Sequence, residues 1–585
     1  MSIQLKEETT GYLARTLGGL RSLPLPASVE ALRDGYGRRD LGADLVAGLT
    51  VGVVALPLAM AFAIASGVGP ERGLFTAIVA GFLISALGGS RYQIGGPTGA
   101  FVVVVYAIVR QHGYEGLVVA TFMAGFMMIL MGLFRFGAAI KFIPYPVTTG
   151  ITAGIAVIIF SAQIKDFLGM PLGPLPPEVH HQWGIYLTSL HTIDPWTAAL
   201  SILSVIGLLV SRRIYPAIPG PLLIVGFGGL VVWLFDIPVQ TIETRFGEIP
   251  KTLPSPSIPS VTLEQIQTLL PSAVTIALLG GIESLMSAVV ADGMTGRTHH
   301  SNRELVGQGV ANIFSALFGG IPATGAIART VTNIRVGGRT PLSGMIHAVA
   351  LALFMFFLAP LIVKIPLASL AAILVVVAWN MAELKHFKAI LSAPRDDAMV
   401  LVLTFLLTAL VDLTLAVQVG VVLASLLFVR RMMEVTEFSA VGGDYMELLA
   451  GEGRAASFDP DATSLRTIPD QVQVYEINGP FFFGVADRLK HTLLSIGARP
   501  VCFILRLRHV PMIDATAIHA LDELREACAM SGTTLILSGV REKLLHALDR
   551  AGFPERIGPE NVTPHIDLAL ERAAEVLRER ERTEG

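Results

Sequence analysis

The chain has 585 residues, of which 52% are hydrophobic and only 15% are charged. A soluble globular protein has about 25% charged residues, so this composition excludes a soluble domain as the main part of the molecule. The net charge of −3 argues against a nucleic-acid-binding protein.

Fourteen apolar segments follow one another along the first three quarters of the chain. They fall at 44–66, 73–88, 97–110, 116–134, 145–164, 194–211 and 218–235, and then at 271–291, 304–318, 324–336, 341–358, 359–379, 396–415 and 417–430. Crossing a bilayer takes about 20 apolar residues in a helix, and lipid admits only helices or closed barrels. These lengths fit helices. The sequence therefore predicts a polytopic α-helical protein with about 14 transmembrane segments in a lipid bilayer.

The two sets of seven segments share a motif at the start of the third member. Residues 95–100 read Gly-Gly-Pro-Thr-Gly-Ala, and residues 319–326 read Gly-Gly-Ile-Pro-Ala-Thr-Gly-Ala. Chance is the alternative, since these residues are common in membrane helices. An odd number of spans per repeat gives the halves opposite topology, so we expect a seven-plus-seven inverted repeat. Short, interrupted spans at matching places in two halves point to a transporter's binding site.

Positively charged residues predict the orientation of the spans. With the N-terminus in the cytoplasm, most Lys and Arg residues fall in cytoplasmic connections. The outer connections hold only Arg72, Arg110, Lys165, Arg245 and Lys251. Cytoplasmic loops are richer in Lys and Arg. We therefore expect a multi-pass membrane protein whose N-terminal segment, 1–43, and C-terminal tail both lie in the cytoplasm.

The composition changes after the transmembrane region, which we place at 44–432. Residues 433–470 are mixed and Gly/Asp-rich, as in a linker. Within 471–585 we predict strands at 472–477, 501–507 and 534–537, and helices at 487–494, 515–530, 541–551 and 564–582. Alternation of strands and helices indicates a small α/β domain.

The starts of the two short spans predict a site for a small anion. If both half-helices begin near mid-membrane, their free N–H groups and positive dipole ends converge on one cavity. Glycines there allow close approach of the backbone, and Thr hydroxyl groups could add donors. The candidate substrate-binding residues are Gly96, Pro97, Thr98, Gly99, Thr324, Gly325, Ala328 and Arg329, with Gly320 beside them and with Leu58 and Phe62 of the first span as lining residues. The alternative is plain helix packing through small residues, or lipid or core packing for Leu58 and Phe62.

Two charged residues lie inside the predicted spans. Arg329 is one turn inside the second short span, and a buried intramembrane arginine indicates a functional site. We expect it to pair with a carboxylate, sulfate or bicarbonate, with a structural ion pair as the alternative. Glu283 lies mid-span, where a buried carboxyl group can take up a proton and couple proton entry to anion entry. Its alternatives are a pair with Arg329 or a sodium ligand.

Motifs of common enzymes do not occur in the sequence. It has no His-Glu-x-x-His pattern, Walker loop or Gly-x-Ser-x-Gly elbow. We expect no enzyme, no cofactor and no metal site, with H⁺ as the coupling ion and Na⁺ as the alternative. Asp514 lies at a predicted strand-to-helix turn, where it is expected to cap the helix.

These motifs together resemble the sulfate permease (SulP) family. The resemblance covers about 40 to 580 and is carried by 46–52 with Leu56-Pro57, by 94–97, by 303–312 and by 326–333. It implies core and gate subdomains, substrate between the third and tenth helices, an elevator-like movement of the core, and a homodimer.

The tail resembles a STAS domain through 474–486 and 513–517. This likeness implies a cytoplasmic protein partner. In the related anti-sigma-factor antagonists, the position of Thr516 is a phosphorylated serine, which makes Thr516 a candidate regulatory residue. Ala515 and Ala517 depart from that motif and argue against phosphorylation.

Within the family, 281–285, 289–296 and 377–381 most resemble bacterial C4-dicarboxylate transporters. That likeness implies proton-coupled carriage of succinate or fumarate across a bacterial inner membrane. Cyanobacterial bicarbonate carriers commonly have aspartate at a sodium site where Glu283 lies, so the glutamate favours protons. The alternatives are a sulfate or bicarbonate permease driven by protons or sodium, a passive anion channel, and a membrane-anchored signalling scaffold.

Overall fold

The computed structural model describes residues 23–140, 144–173, 175–176, 178–214, 220–411, 413–435, 437–440, 466–482 and 500–584. The chain divides into two compact units between Ala424 and Ser425. The first unit is almost entirely helical and carries the apolar segments. The second is built on a mixed β-sheet.

The membrane unit has two short strands and a long series of helices. Its elements are α1 (Ala27–Arg33), α2 (Arg38–Ala65), α3 (Pro70–Leu87), β1 (Gly95–Gly96), α4 (Gly99–Leu133), α5 (Gly137–Ile140), α6 (Tyr145–Phe167), α7 (Val179–Thr188), α8 (Pro195–Ile214), α9 (Gly220–Phe235), α10 (Ile242–Phe246), α11 (Leu263–Thr295), α12 (Ser301–Leu317), β2 (Thr324–Gly325), α13 (Ile327–Val336), α14 (Leu342–Ile362), α15 (Leu367–Met381), α16 (Leu384–Leu391), α17 (Arg395–Leu410) and α18 (Leu413–Val435). In the described part of the chain, eight helical stretches are long and apolar enough to cross a membrane.

A helix lies at each of the fourteen predicted segments, but one predicted boundary was wrong. The segments 97–110 and 116–134 are the two parts of α4, which meet at a kink at Gly113, where φ is +70° and the backbone is not helical. The predicted boundary at 358/359 is absent because α14 continues through Pro360 to Ile362. Pro57 lies inside α2, which is continuous through it.

The helices of this unit pack as two bundles. The core bundle contains α2, α3, α4, α11, α12, α13 and α14, and the gate bundle contains α6, α8, α9, α15 and α17. The packing of α3 on α14 in the core has its counterpart in α4 on α12, and α2 on α14 has its counterpart in α11 on α4. These pairs exchange the two halves of the chain. They are the core, gate and inverted repeat that the family resemblance implied.

Glycines set the closest helix approach in the core bundle. A Cβ atom added at Gly125 of α4 would lie 2.7 Å from the carbonyl oxygen of Gly309. A Cβ added at Gly309 of α12 would lie 2.5 Å from the carbonyl oxygen of Gly125. Real Cβ atoms do not approach backbone this closely. Small residues at both positions therefore allow α4 and α12 to touch along their backbones.

Gly125→Ala should destabilise the protein, because the added methyl group has to push α4 and α12 apart. Overpacking of this kind costs roughly 1–3 kcal/mol, so the thermal unfolding midpoint in detergent should fall by several degrees. Gly226→Ala in α9 is the matched control, since its Cβ would meet open space. Equal midpoints for both variants would show that the close approach does not limit stability.

The second unit contains a five-stranded sheet with helices on its two faces. Its elements are β3 (Glu437–Ala440), β4 (Val472–Asn478), β5 (Cys502–His509), α19 (Ala515–Met530), β6 (Thr534–Ser538), α20 (Glu542–Arg550), α21 (Phe553–Ile557), β7 (Val562–Thr563) and α22 (Ile566–Glu584). The strand order is β3-β4-β5-β6-β7, with β3 antiparallel to β4 and the remaining pairs parallel. Phe503 and Leu505 face the cluster formed with α19, whereas Cys502 and Ile504 face α22.

Most predicted elements of this unit are observed within one or two residues. Asp514 caps α19, and its carboxylate accepts a hydrogen bond of 2.7 Å from the backbone N–H of Ala517. The range predicted as a linker, 433–470, includes β3 at the sheet edge, which a four-residue pattern was too short to reveal. The helix predicted at 487–494 lies outside the described residues.

Candidate functional site

The two strands β1 and β2 cross inside the core bundle. They pair antiparallel, with Gly95 opposite Gly325 and Gly96 opposite Thr324. The backbone N–H of Ala326 donates to the Ile94 carbonyl oxygen at 2.8 Å, and the Ile94 N–H donates to the Thr330 hydroxyl at 3.1 Å. Because β1 leads into α4 and β2 into α13, the crossing brings the starts of both half-helices together. These bonds satisfy backbone groups that water cannot reach in a membrane.

Arg329 binds the backbone of the opposite half rather than an acidic side chain. Its guanidinium donates to the Pro97 carbonyl oxygen and, at 3.4 Å, to that of Gly95. The residue is 2% exposed. Gly96 lies directly against the guanidinium and has a φ of +146°. A Cβ atom at this position would lie 2.4 Å from Nη1 of Arg329, so a larger residue does not fit. Arg329 thus places a buried positive charge behind the junction of β1 and α4.

Glu283 lies on α11, beside the start of α4. The Thr98 hydroxyl donates to its Oε2 at 2.9 Å. Within the described part of the chain, Glu283 and Arg329 form no ion pair with each other. The alternative interpretation, a direct ion pair between Glu283 and Arg329, is therefore not observed.

Neither half-helix has a side-chain cap at its start. Thr98 occupies the N-cap position of α4, but its hydroxyl is turned to Glu283 and accepts no hydrogen bond from the first turn. Ala326 occupies the N-cap position of α13 and has no capping side chain. The first-turn N–H groups of a helix need partners from outside the helix. An anion is a partner that the dipole of each helix also favours.

The remaining predicted substrate-binding residues differ in their burial and in their contacts. Thr324 is fully buried, and its hydroxyl donates to the Gly280 carbonyl oxygen at 2.8 Å, so it is not a free donor for an anion. Gly325 is covered by the side chain of Gln93. Leu58 is half-buried and Ala328 is exposed. Gly320 contacts Ser315 and Thr76 away from these groups.

Gly99 lies where the core bundle meets the gate bundle. A Cβ there would be 2.8 Å from Met381 Sδ of α15 and 3.5 Å from Ile159 Cδ1 of α6. It would also be 3.4 Å from Phe62 Cε1, which places that predicted residue at the junction. Met381 and Ile159 gave no signal in the sequence, because they are ordinary apolar residues in apolar spans.

Glu304 is a functional candidate that sequence reasoning missed. Its buried carboxylate accepts hydrogen bonds from the N–H groups of Gly89 and Ser90, at 2.8 and 3.1 Å. It also accepts from the side chains of Gln93 and Gln308, both at 2.9 Å. This residue joins α12 to the turn that leads into β1. It lies inside the 303–312 motif that carried the family resemblance, which was the available signal.

Comparison with known proteins decides the family. Residues 41–404 match the sulfate permease family, and residues 465–571 match the STAS domain. The chain belongs to the sulfate permease family. It is therefore a multi-pass membrane transporter of anions, with a STAS domain after the membrane unit, and it is not an enzyme.

Relatives and solved structures cover nearly the whole chain. A putative sulfate transporter of Bacillus subtilis, YvdB, is 42% identical over 91% of this chain and 98% of its own. The bicarbonate transporter BicA of Picosynechococcus is 31% identical over 92% of this chain and 95% of its own. The transmembrane domain of a cyanobacterial BicA, 32% identical, superposes with a TM-score of 0.59 over 67% of this chain and 98% of that one. The inward-facing murine anion transporter Slc26a9 shares the fold at 18% identity, with a TM-score of 0.83 over 95% and 94%.

Arg329→Ala should abolish transport, because the Gly95 and Pro97 carbonyl groups lose their buried donor. Leaving a buried acceptor unpaired costs roughly 1–3 kcal/mol, so the unfolding midpoint should also fall. Arg329→Lys is the matched variant, since it keeps the charge but cannot span both carbonyl groups. We expect it to fold and to transport poorly. Normal uptake by either variant, measured in proteoliposomes, would remove Arg329 from the site.

Proposed function

We propose that this chain is a secondary active transporter that couples a small anion to a proton carried by Glu283. The observation that carries the proposal is a carboxyl group beside uncapped helix N-termini, with the Thr98 hydroxyl as its hydrogen-bond partner. Charges that are shielded from bulk water interact strongly, so an ionised Glu283 would repel an incoming anion. A proton on Glu283 removes the repulsion. Anion and proton therefore bind together.

We also propose that the site moves with the core bundle, as in an elevator. The polar groups of the candidate site, on α4, α11 and α13, all belong to the core. The gate contributes apolar side chains, Met381 and Ile159, at the contact with Gly99. An apolar contact without hydrogen bonds lets the core slide past the gate at low cost. Such sliding would expose the site to each side in turn.

The proposed substrates are C4-dicarboxylates such as succinate and fumarate, on the strength of the motifs around Glu283 and at 377–381. Sulfate and bicarbonate are the second candidates. The names of the B. subtilis and cyanobacterial relatives favour them. Sodium is the second candidate for the coupling ion.

The remaining proposals concern the setting of the protein. We propose a homodimer in a bacterial inner membrane, with both termini in the cytoplasm. Thr516 is exposed in the first turn of α19, where a protein partner of the STAS domain could reach it. The hydroxyl group is accessible for modification there, although the flanking alanines depart from the phosphorylated motif.

Purified protein in liposomes should accumulate labelled fumarate when an inward proton gradient is imposed. The same vesicles should take up little sulfate or bicarbonate under that gradient. Sulfate or bicarbonate uptake that is indifferent to the proton gradient would contradict both the substrate and the coupling ion. A flux that equilibrates without accumulation would instead identify a passive channel.

Glu283→Gln should abolish the pH dependence of uptake, because an amide at this position neither takes up nor releases a proton. The expected result is a flat rate between mildly acidic and neutral pH. Glu264→Gln is the matched control, since Glu264 lies exposed in the first turn of the same helix, α11. It should keep the wild-type profile. A wild-type pH profile in Glu283→Gln would rule out the proton-carrying role.

A further inference from the structure

A cavity of about 820 Å³ lies between the core and gate bundles, at the end of the unit predicted to face outward. Its walls come from α2 and α4 on the core side and from α6 and α17 on the gate side. Its lining residues include Val102 of α4 and Ile159 of α6. Ile159 is also the residue that contacts the start of α4 at Gly99. Ile159 therefore borders both the cavity and the start of α4, although none of the predicted site residues lines the cavity.

The charged residues around this cavity are not balanced. Arg110, Lys165 and Arg245 line it together with Asp166 and Glu178. Asp166 forms an ion pair with Arg245, with 2.7 Å between Oδ1 and Nη1. Glu178 lies 3.5 Å from His181, a contact that is an ion pair only when the histidine is protonated. The described residues along the cavity's walls therefore include three cations and two carboxylates.

Two of the cavity's cations have no carboxylate within ion-pair distance in the described residues. Arg110 has no ion pair, and the ammonium group of Lys165 contacts only the Gly173 carbonyl oxygen, at a long 3.5 Å. Both cations lie at helix segments that border the cavity. Two positive charges in a partly enclosed space attract anions and raise their local concentration.

Gln163 adds an unpartnered amide to the same wall. Its side chain is only 4% exposed, yet it lines the cavity. In the part of the chain that the structure describes, this side chain makes no hydrogen bond. The amide therefore has no partner within the described protein and is open to a ligand or water in the cavity. Its N–H groups are donors that suit an oxyanion.

We propose that Gln163, Lys165 and Arg110 form an outer docking site, which binds a doubly charged oxyanion before it passes to the half-helices. Neither Lys165 nor Arg110 has a carboxylate within ion-pair distance in the described residues, so a dianion pairs with both, whereas a monoanion leaves one of them unpaired. Sulfate and dicarboxylates share this chemistry. The docking step rests on the proposed transport function for its direction, but binding at the outer docking site does not depend on proton coupling.

Thiol labelling tests the charge of the site directly. Ala162 lines the cavity beside Gln163, and Ala162→Cys provides a small reporter. The native thiols give little background: both are buried, and burial raises the pKa of Cys502 to about 11 and that of Cys528 to about 12. Thiolates are the reactive form, so these two react slowly at neutral pH. The protein without the reporter supplies the blank.

The measurement compares an anionic and a cationic methanethiosulfonate reagent on the full-length protein in nanodiscs, where both faces are accessible. The anionic reagent should react faster with the reporter. Adding Lys165→Gln and Arg110→Gln should lower the ratio of the two rates about tenfold or more, since each removed charge weakens the local attraction. Lys251→Gln, an exposed outer lysine away from the cavity, is the matched control and should leave the ratio unchanged.

Protection of the reporter cysteine from labelling by added anions identifies the class of anion that binds. At constant ionic strength, sulfate or fumarate should slow labelling of the reporter, whereas bicarbonate should not. Protection by one dianion alone supports the site and shows which dianion it accepts. Equal protection by bicarbonate would overturn the dianion assignment. An unchanged rate ratio after both substitutions would overturn the site itself.

Two further controls keep the outcome interpretable. If the double variant fails to elute as a folded species, Lys165→Gln and Arg110→Gln are measured singly, and each should lower the ratio in part. No ratio change in either single variant would also overturn the site. Because labelling requires no transport, dianion protection that persists when proton-driven uptake fails would remove the coupling proposal and leave the outer docking site standing.

Discussion

Arg329 donates hydrogen bonds to the carbonyl groups of Gly95 and Pro97, at the point where both halves of the membrane unit interrupt their helices. Extended backbone is costly inside a bilayer, because no water is present to bind its N–H and C=O groups. The pairing of β1 with β2 satisfies part of this backbone, and the planar fork of an arginine side chain can satisfy two carbonyl groups at once. The two half-helices can begin here only because these partners are present.

The same arrangement explains why the site is so poor in free side-chain donors. The hydroxyl groups of Thr98 and Thr324 and the guanidinium of Arg329 all have acceptors within the protein. What remains for a ligand is the uncapped backbone N–H groups at the starts of α4 and α13, together with the N–H groups of Arg329 beyond the two bonded ones. Backbone donors in a fixed frame recognise charge and shape rather than a particular functional group. Relatives with a similar frame can therefore differ in the anion that they carry.

Much of this architecture could be predicted from the sequence, because membrane spans, Gly/Pro interruptions and charges inside apolar runs leave strong local signals. Arg329 and Glu283 were found in this way. Their partners were not, since the acceptors of Arg329 are carbonyl groups, which every residue has and which only the register of β1 and β2 selects. Ile159 and Met381 are unmarked apolar residues, and their position at Gly99 depends on how two bundles meet. Arg110 and Lys165 looked like ordinary charges at helix ends, because the cavity between them exists only in three dimensions.

The charges at the candidate site and at the outer docking site suit the same proposed substrate. Each helix N-terminus acts as roughly half a positive charge, so α4 and α13 together contribute about one unit, to which Arg329 adds another. With Glu283 ionised, the empty site carries only about one net positive charge, which does not balance a dianion. A dianion bound beside protonated Glu283 brings the sum near zero, whereas a dianion beside ionised Glu283 would leave a buried negative charge. In the proposed elevator movement, a neutral loaded core is the state that crosses the apolar gate contact at Met381 and Ile159. On this account, the proton is required for movement of a dianion as well as for its binding, and the pair of cations at the outer docking site matches the charge of the same substrate.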